Sequence, residues 1–108
     1  MCNGCLDRSV DMLVVAICTD YFRRKEAIEN KSVSRRTEIE LRYLNYKVYE
    51  SCAEIVGERH CERFIEEIGE RRGFAYSYFA DYWSEGSYKK LKRDAKHNIA
   101  KSLHFIDG

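Results

Sequence analysis

The sequence predicts an all-α fold, on three observations. The 108 residues hold no proline and only six glycines, so little in the chain breaks a helix or builds the turns of a β fold. Apolar side chains recur at three- and four-residue steps, the period of a helix with one buried face. Hydrophobic residues make up 44% and charged residues 34%, a globular balance that supports one core rather than disorder.

The elements follow in order. Residues 1–6 read as a flexible N-terminus. Val10, Leu13, Val14, Ile17 and Tyr21 mark the inward face of a first helix from about Asp7 to Glu29. Near its end, Arg23, Arg24 and Lys25 read as an exposed basic patch. Asn30 to Ser34 is a polar break, and the Ser34 hydroxyl is suited to cap the next helix. That helix presents Leu41, Leu44, Val48, Cys52 and Ile55 on one face and stops at Gly57. Tyr46 and Tyr49, interleaved with Arg42 and Lys47, read as surface or interface residues. Two long amphipathic helices joined by a short polar loop predict an antiparallel hairpin over 7–57.

A third helix is predicted from about Glu58 to Arg72, burying Cys61, Phe64, Ile65 and Ile68. Arg71, Arg72 and Gly73 make its stop, positive charge in the last turn followed by glycine. Glu66, Glu67 and Glu70 read as a solvated acidic face. The aromatic segment Phe74 to Trp83 reads mostly as a short helix near 76–82, filling core rather than stacking on bases.

The last element is a helix with two different faces. Tyr88, Leu91, Ala95, Ile99 and Leu103 form an apolar seam, and Lys89, Lys92, Arg93 and Lys96 back it, with Lys90 and Lys101 nearby. Charge is divided accordingly. Residues 1–70 carry eleven Lys/Arg against fourteen Asp/Glu, and residues 71–108 carry eight against four. A basic end on a near-neutral chain points to a local polyanion-facing surface rather than a nonspecific coat.

A helix, a short helix, a turn and a longer basic helix over 58–108 make a unit of helix-turn-helix type. In such a unit the last helix enters the major groove with its N-terminal side chains at base edges. The base-reading positions are then Glu85, Ser87, Lys89, Lys90 and Arg93, with Lys92, Lys96 and Lys101 on phosphates. Gly86 departs from the commonest pattern, since it falls inside the helix start rather than in the turn.

The run Ser84-x-x-Ser87-Tyr88-x-x-x-Lys92-Arg93-x-Ala95, continuing to Ile99-Ala100-x-x-Leu103, resembles the C-terminal helix of ArpU/RinA-type phage transcriptional regulators. Ile65 to Gly69 and Arg72 to Phe74 look like the helix that leads into their motif. The resemblance covers about the C-terminal half of the chain. It implies a helix-turn-helix similar to the last DNA-binding region of sigma factors, with Ser87, Tyr88, Lys92 and Arg93 in the recognition helix. It also implies binding at a phage promoter.

Other chemistry finds little in the chain. Cys2 and Cys5 have the spacing of half a zinc site, but no second Cys-x-x-Cys exists, and the pair reads as free thiols. His60, His97 and His104 are scattered along helices. No phosphate loop, nucleophile elbow or metal-binding helix motif is present, so no enzyme, metal or cofactor is predicted. Five cysteines and the lack of a signal or membrane-spanning run predict a reducing, cytoplasmic setting. The expected function is sequence-specific binding of double-stranded DNA in transcription control for a phage or integrated element. The hairpin is a candidate for dimerisation or for contact with RNA polymerase. The rival expectation is a small helical adaptor or inhibitor of a host complex, with the acidic hairpin as its working surface and no DNA binding.

Overall fold

The computed structural model describes residues 6–106 and is all-α in that range. Its helices are α1 (Arg8–Thr19), α2 (Tyr21–Glu29), α3 (Arg35–Val56), α4 (Glu58–Gly69) and α5 (Glu85–Ser102). Two 3-10 turns, Phe74–Tyr76 and Tyr78–Asp81, join α4 to α5. The N-terminal residues 1–5, with Cys2 and Cys5, lie outside the described residues, as do 107 and 108.

Side-chain caps start the helices where their chemistry is local. The Asp7 carboxylate accepts from the Ser9 amide, Ser34 from Thr37, and Ser84 from Ser87. Each satisfies one backbone donor that the first turn leaves free. Gly57 ends α3 with φ 86° and ψ 157°, a conformation open essentially to glycine alone.

The ends of α2, α4 and α5 share a different device. After α4, the Arg72 amide bonds to the Glu67 carbonyl and the Arg71 amide to Ile68, the paired bonds of a Schellman motif. Lys31 and His104 hold the matching positions after α2 and α5. All three residues have positive φ, 49° for Lys31, 54° for Arg71 and 63° for His104. The predicted stop at Gly73 is therefore corrected: α4 ends at Gly69, and the left-handed residue is Arg71. His104 likewise lies in a turn rather than on a helix.

The predicted first helix is two. It breaks at Asp20, where the Arg24 side chain turns back to donate to the Ile17 carbonyl at 2.7 Å. Arg24 also donates to Asn45 Oδ1 at 2.6 Å, and Asn45 Nδ2 donates to the Tyr21 carbonyl. Thr19 Oγ1 reaches the Gly69 carbonyl at 2.9 Å. The break lets α2 lie along α3 while α1 packs on α4 and α5. It also corrects the basic patch: Arg23 is exposed, but Arg24 is half-buried and Lys25 pairs with Glu62 at 2.8 Å.

One core serves every helix. Val14, Val48, Phe64, Ile65, Tyr88 and Ile99 all belong to it, so the predicted hairpin and C-terminal unit share their interior. The predicted inward face of α4 is buried in full. Leu13, predicted inward, is half exposed, and Val15 and Cys18 take the buried side of α1. Burial pushes the Cys18 thiol up to about 12, which keeps it an uncharged core residue. At Gly69 the α1 backbone passes so close that a Cβ would lie 2.8 Å from the Thr19 backbone.

Candidate functional site

The aromatic segment, predicted as a short helix, is instead two single 3-10 turns with opposite exposures. Phe79 is buried and stacks on Trp83 at 4.4 Å between ring centroids, while Tyr76, Tyr78 and Tyr82 face solvent. His60 on α4 packs edge-on to Phe79 and Trp83. The segment is therefore half core and half surface.

Glu67 fastens this segment and the start of α5 to α4. Predicted as part of a solvated face, it is fully buried. Its carboxylate accepts from Ser77 Oγ at 2.6 Å, the Tyr78 amide at 2.9 Å and Tyr88 Oη at 2.7 Å. Arg63 and Arg72 stand 3.6 Å away and offset its charge. Burial raises the cost of that charge, but the donors from Ser77, Tyr88 and Tyr78, with Arg72, outweigh it. The carboxyl is held below its ordinary range. Burial, and then the bond to Glu67, push the Tyr88 phenol up to about 12. A buried charge with three donors is a strong positional restraint, and here it aims the N-terminal half of α5.

The eight predicted contact residues on α5 divide by what already holds them. Glu85 and Lys89 are exposed and pair with each other at 3.1 Å. Lys90 is exposed and reaches Asp94 at 3.2 Å. Ser87 is exposed in the first turn beside the Ser84 cap, and Lys101 is exposed in the last. Exposed i,i+4 pairs such as these contribute a few tenths of a kcal/mol, so either lysine is readily recruited by a stronger anion.

Lys92 and Lys96 are committed further. Lys92 Nζ donates to the Arg72 carbonyl at 2.5 Å and lies 5.0 Å from the centre of the Tyr88 ring. Burial, then the neighbouring Lys96, lower its proton affinity. Lys96 pairs with Asp11 of α1 at 2.9 Å, each side chain 26% exposed. These two lysines tie α5 to its own domain.

Arg93 is different. Its Nε is buried and has no hydrogen-bond partner. It lines a groove of about 370 Å³ with Lys89, Lys92 and Lys96, closed on the α1 side by Leu6 and Asp11. Four cations against one carboxylate give this recess a net positive lining.

Sequence reasoning missed Glu67, Asp11 and the Arg72 carbonyl as parts of this arrangement. The available signal was the place of Glu67 between Phe64 and Ile68, beside the buried stripe. Among the described residues no group of three His, Cys, Asp or Glu side chains is placed to hold a metal ion. No helix there is long and apolar enough to cross a membrane. No family model, no curated protein and no solved structure matches the chain.

Proposed function

We propose that the chain binds double-stranded DNA through α5 and acts as a sequence-specific transcriptional regulator of the phage or mobile-element kind. The observation that carries this reading is the groove on one face of α5 that Lys89, Lys92, Arg93 and Lys96 line together. A DNA phosphate set against the basic side chains of that groove brings Lys89, Lys90 and Arg93 to the major-groove edge. Lys101 then follows the backbone one helix length on. Lys92 and Lys96 contribute field rather than direct contact, since both already have partners.

Fluorescence anisotropy with the duplex upstream of the coding sequence, against a scrambled duplex, tests it over a salt series. Binding that prefers the native duplex and weakens by about 0.9 log units per phosphate contact per decade of salt supports the reading. Lys89→Glu with Arg93→Glu abolishes it. Equal failure to bind both duplexes at low salt overturns it.

A second reading, a protein-binding adaptor, has one observation in its favour. Tyr76, Tyr78 and Tyr82 are exposed at 83%, 47% and 58%, and the Arg63 guanidinium lies 4.9 Å from the centre of the Tyr78 ring. Tyrosine and arginine are the residues that anchor protein interfaces. A host complex is the partner this surface would meet, and Tyr78→Ala with Tyr82→Ala removes that contact.

A further inference from the structure

Helix α3 has apolar residues on two opposite faces. The inward one, with Val48 and Cys52, is fully buried. The outward one presents Ile39, Tyr43 and Tyr46, exposed at 58%, 58% and 59%. Their spacing of four and then three residues places them in one row along a helix of 22 residues, about 33 Å long. Beside Tyr46, a hollow of about 480 Å³ opens between α2 and α3, walled by Tyr21, Ile28 and Tyr49. Three exposed apolar side chains in one row beside a hollow form a contact surface that Glu50, the next residue of the row, bounds. In a two-fold pair Glu50 lies opposite the second copy's Ile39.

We infer that this face binds a second copy of the same chain, with the two α3 helices antiparallel about a two-fold axis near residue 45. Charge decides both the partner and the direction. One flank of the row carries Arg36, Glu40, Lys47 and Glu54, alternating in sign. In an antiparallel pair the same flank of each helix meets, so Arg36 faces the second copy's Glu54, and Glu40 faces its Lys47. A two-fold axis makes each pairing twice, as a self-complementary interface requires. A parallel pair sets this flank against the opposite one, where Arg35 meets Glu40 but Arg42 meets Lys47 with like charge, so only the antiparallel pair makes every contact attractive.

Within the chain these four groups are weakly engaged. Arg36 stands 3.9 Å from Glu40 at the exposed helix surface. Lys47 Nζ lies 5.5 Å from the centre of the Tyr43 ring. Only Glu54 has a firm partner, accepting from Asn98 at 2.8 Å. With residues 43 and 46 opposite each other, the second copy's Tyr43 comes against Tyr46 at the mouth of the hollow. The charged flank borders the end of α5, where Lys47 and Glu54 share a recess with Asn98 and Lys101, and it leaves the N-terminal half of that helix uncovered.

Sedimentation equilibrium of the full chain from micromolar to sub-millimolar concentration tests it. The expected result is a monomer–dimer equilibrium. Ile39→Ser with Tyr43→Ser weakens it about 100-fold, about tenfold for each anchor lost. Glu40→Lys alone and Lys47→Glu alone each weaken it about fivefold, and the double exchange restores it. All four positions lie outside the core, and circular dichroism of each variant verifies that folding is unchanged. A chain monomeric throughout overturns the proposal, and so does a dimer indifferent to Ile39→Ser with Tyr43→Ser. A dimer broken by the apolar pair but not restored by the charge exchange overturns the antiparallel register.

Discussion

Helices α4 and α5 are both dense in charge, and they use it in opposite ways. On α4 the charge that matters most points inward: Glu67 is buried and holds Ser77, Tyr78 and Tyr88 at once. On α5 the charge grades from Lys92 and Lys96, tied to Arg72 and Asp11, out to Lys90 and Lys101, free for other partners. The sign of a residue therefore says little about its role. What decides is how many fixed donors or acceptors the fold brings to it, because a buried charge survives only where several do.

The largest effect that sharpens this contrast is at Glu67. Glu67→Leu leaves the Ser77 and Tyr88 hydroxyls and the Tyr78 amide without their acceptor and removes one of the two carboxylates that each of Arg63 and Arg72 faces. It should lower unfolding free energy by about 3–5 kcal/mol in urea titrations. The pH dependence follows from the lowered carboxyl pKa. Its stabilisation is fully present above the ordinary value of 4.5 and is lost as pH falls through the lower folded value. Glu67→Gln should flatten that acid limb. Tyr88 works from the other side: its phenol, raised to about 12, stabilises at neutral pH, and that contribution disappears as pH climbs through 12.

Next in size is Gly69 on the same helix. A methyl group there meets the Thr19 backbone, which cannot swing aside as a side-chain tip would. Gly69→Ala should cost about 1–3 kcal/mol by thermal unfolding, against a small gain in helix propensity. It should also separate α1 from α4 and loosen the Thr19–Gly69 hydrogen bond. Gly69→Ala as stable as the parent chain would show that α1 is free to move away from α4.

How much of this was legible in the sequence depended on the range of the interaction responsible. The Ser34 cap, the stop at Gly57 and the buried face of α4 were all readable, because each is decided within one or two turns. The break at Asp20 was not. Its own residues are compatible with a continuous helix, and contacts to Asn45 and Gly69 decide otherwise. Glu67 was misread for the same reason, since its donors lie ten or more residues downstream. Of the eight candidate residues on α5, sequence could place them on one helix. It could not show that Asp11 and the Arg72 carbonyl had already claimed two of them.

A smaller effect separates the two kinds of lysine on α5. Lys92→Met keeps the stem against the core but removes the bond to the Arg72 carbonyl, and should cost about 1 kcal/mol. Arg71→Gly should move stability the other way by up to about 1 kcal/mol, because glycine takes the left-handed position of the Schellman motif without strain.

The smallest change in stability belongs to Lys90 and Lys101. Both are exposed, and the single partner of Lys90, Asp94, is an exposed helix neighbour. Lys90→Ala and Lys101→Ala should each leave unfolding free energy within about 0.5 kcal/mol of the parent. Their effect should fall on binding instead. Losing the Lys101 phosphate contact should lower the slope of log affinity against log salt by about 0.9, equally for native and scrambled duplexes, whereas losing Lys90 at the base edges should also narrow the preference between them. Arg93→Ala should lower the slope too, but also narrow the preference between the two duplexes. A pair of lysines that changes binding without changing stability, set against a glutamate that changes stability through the whole fold, separates charge that works outward from charge that works inward.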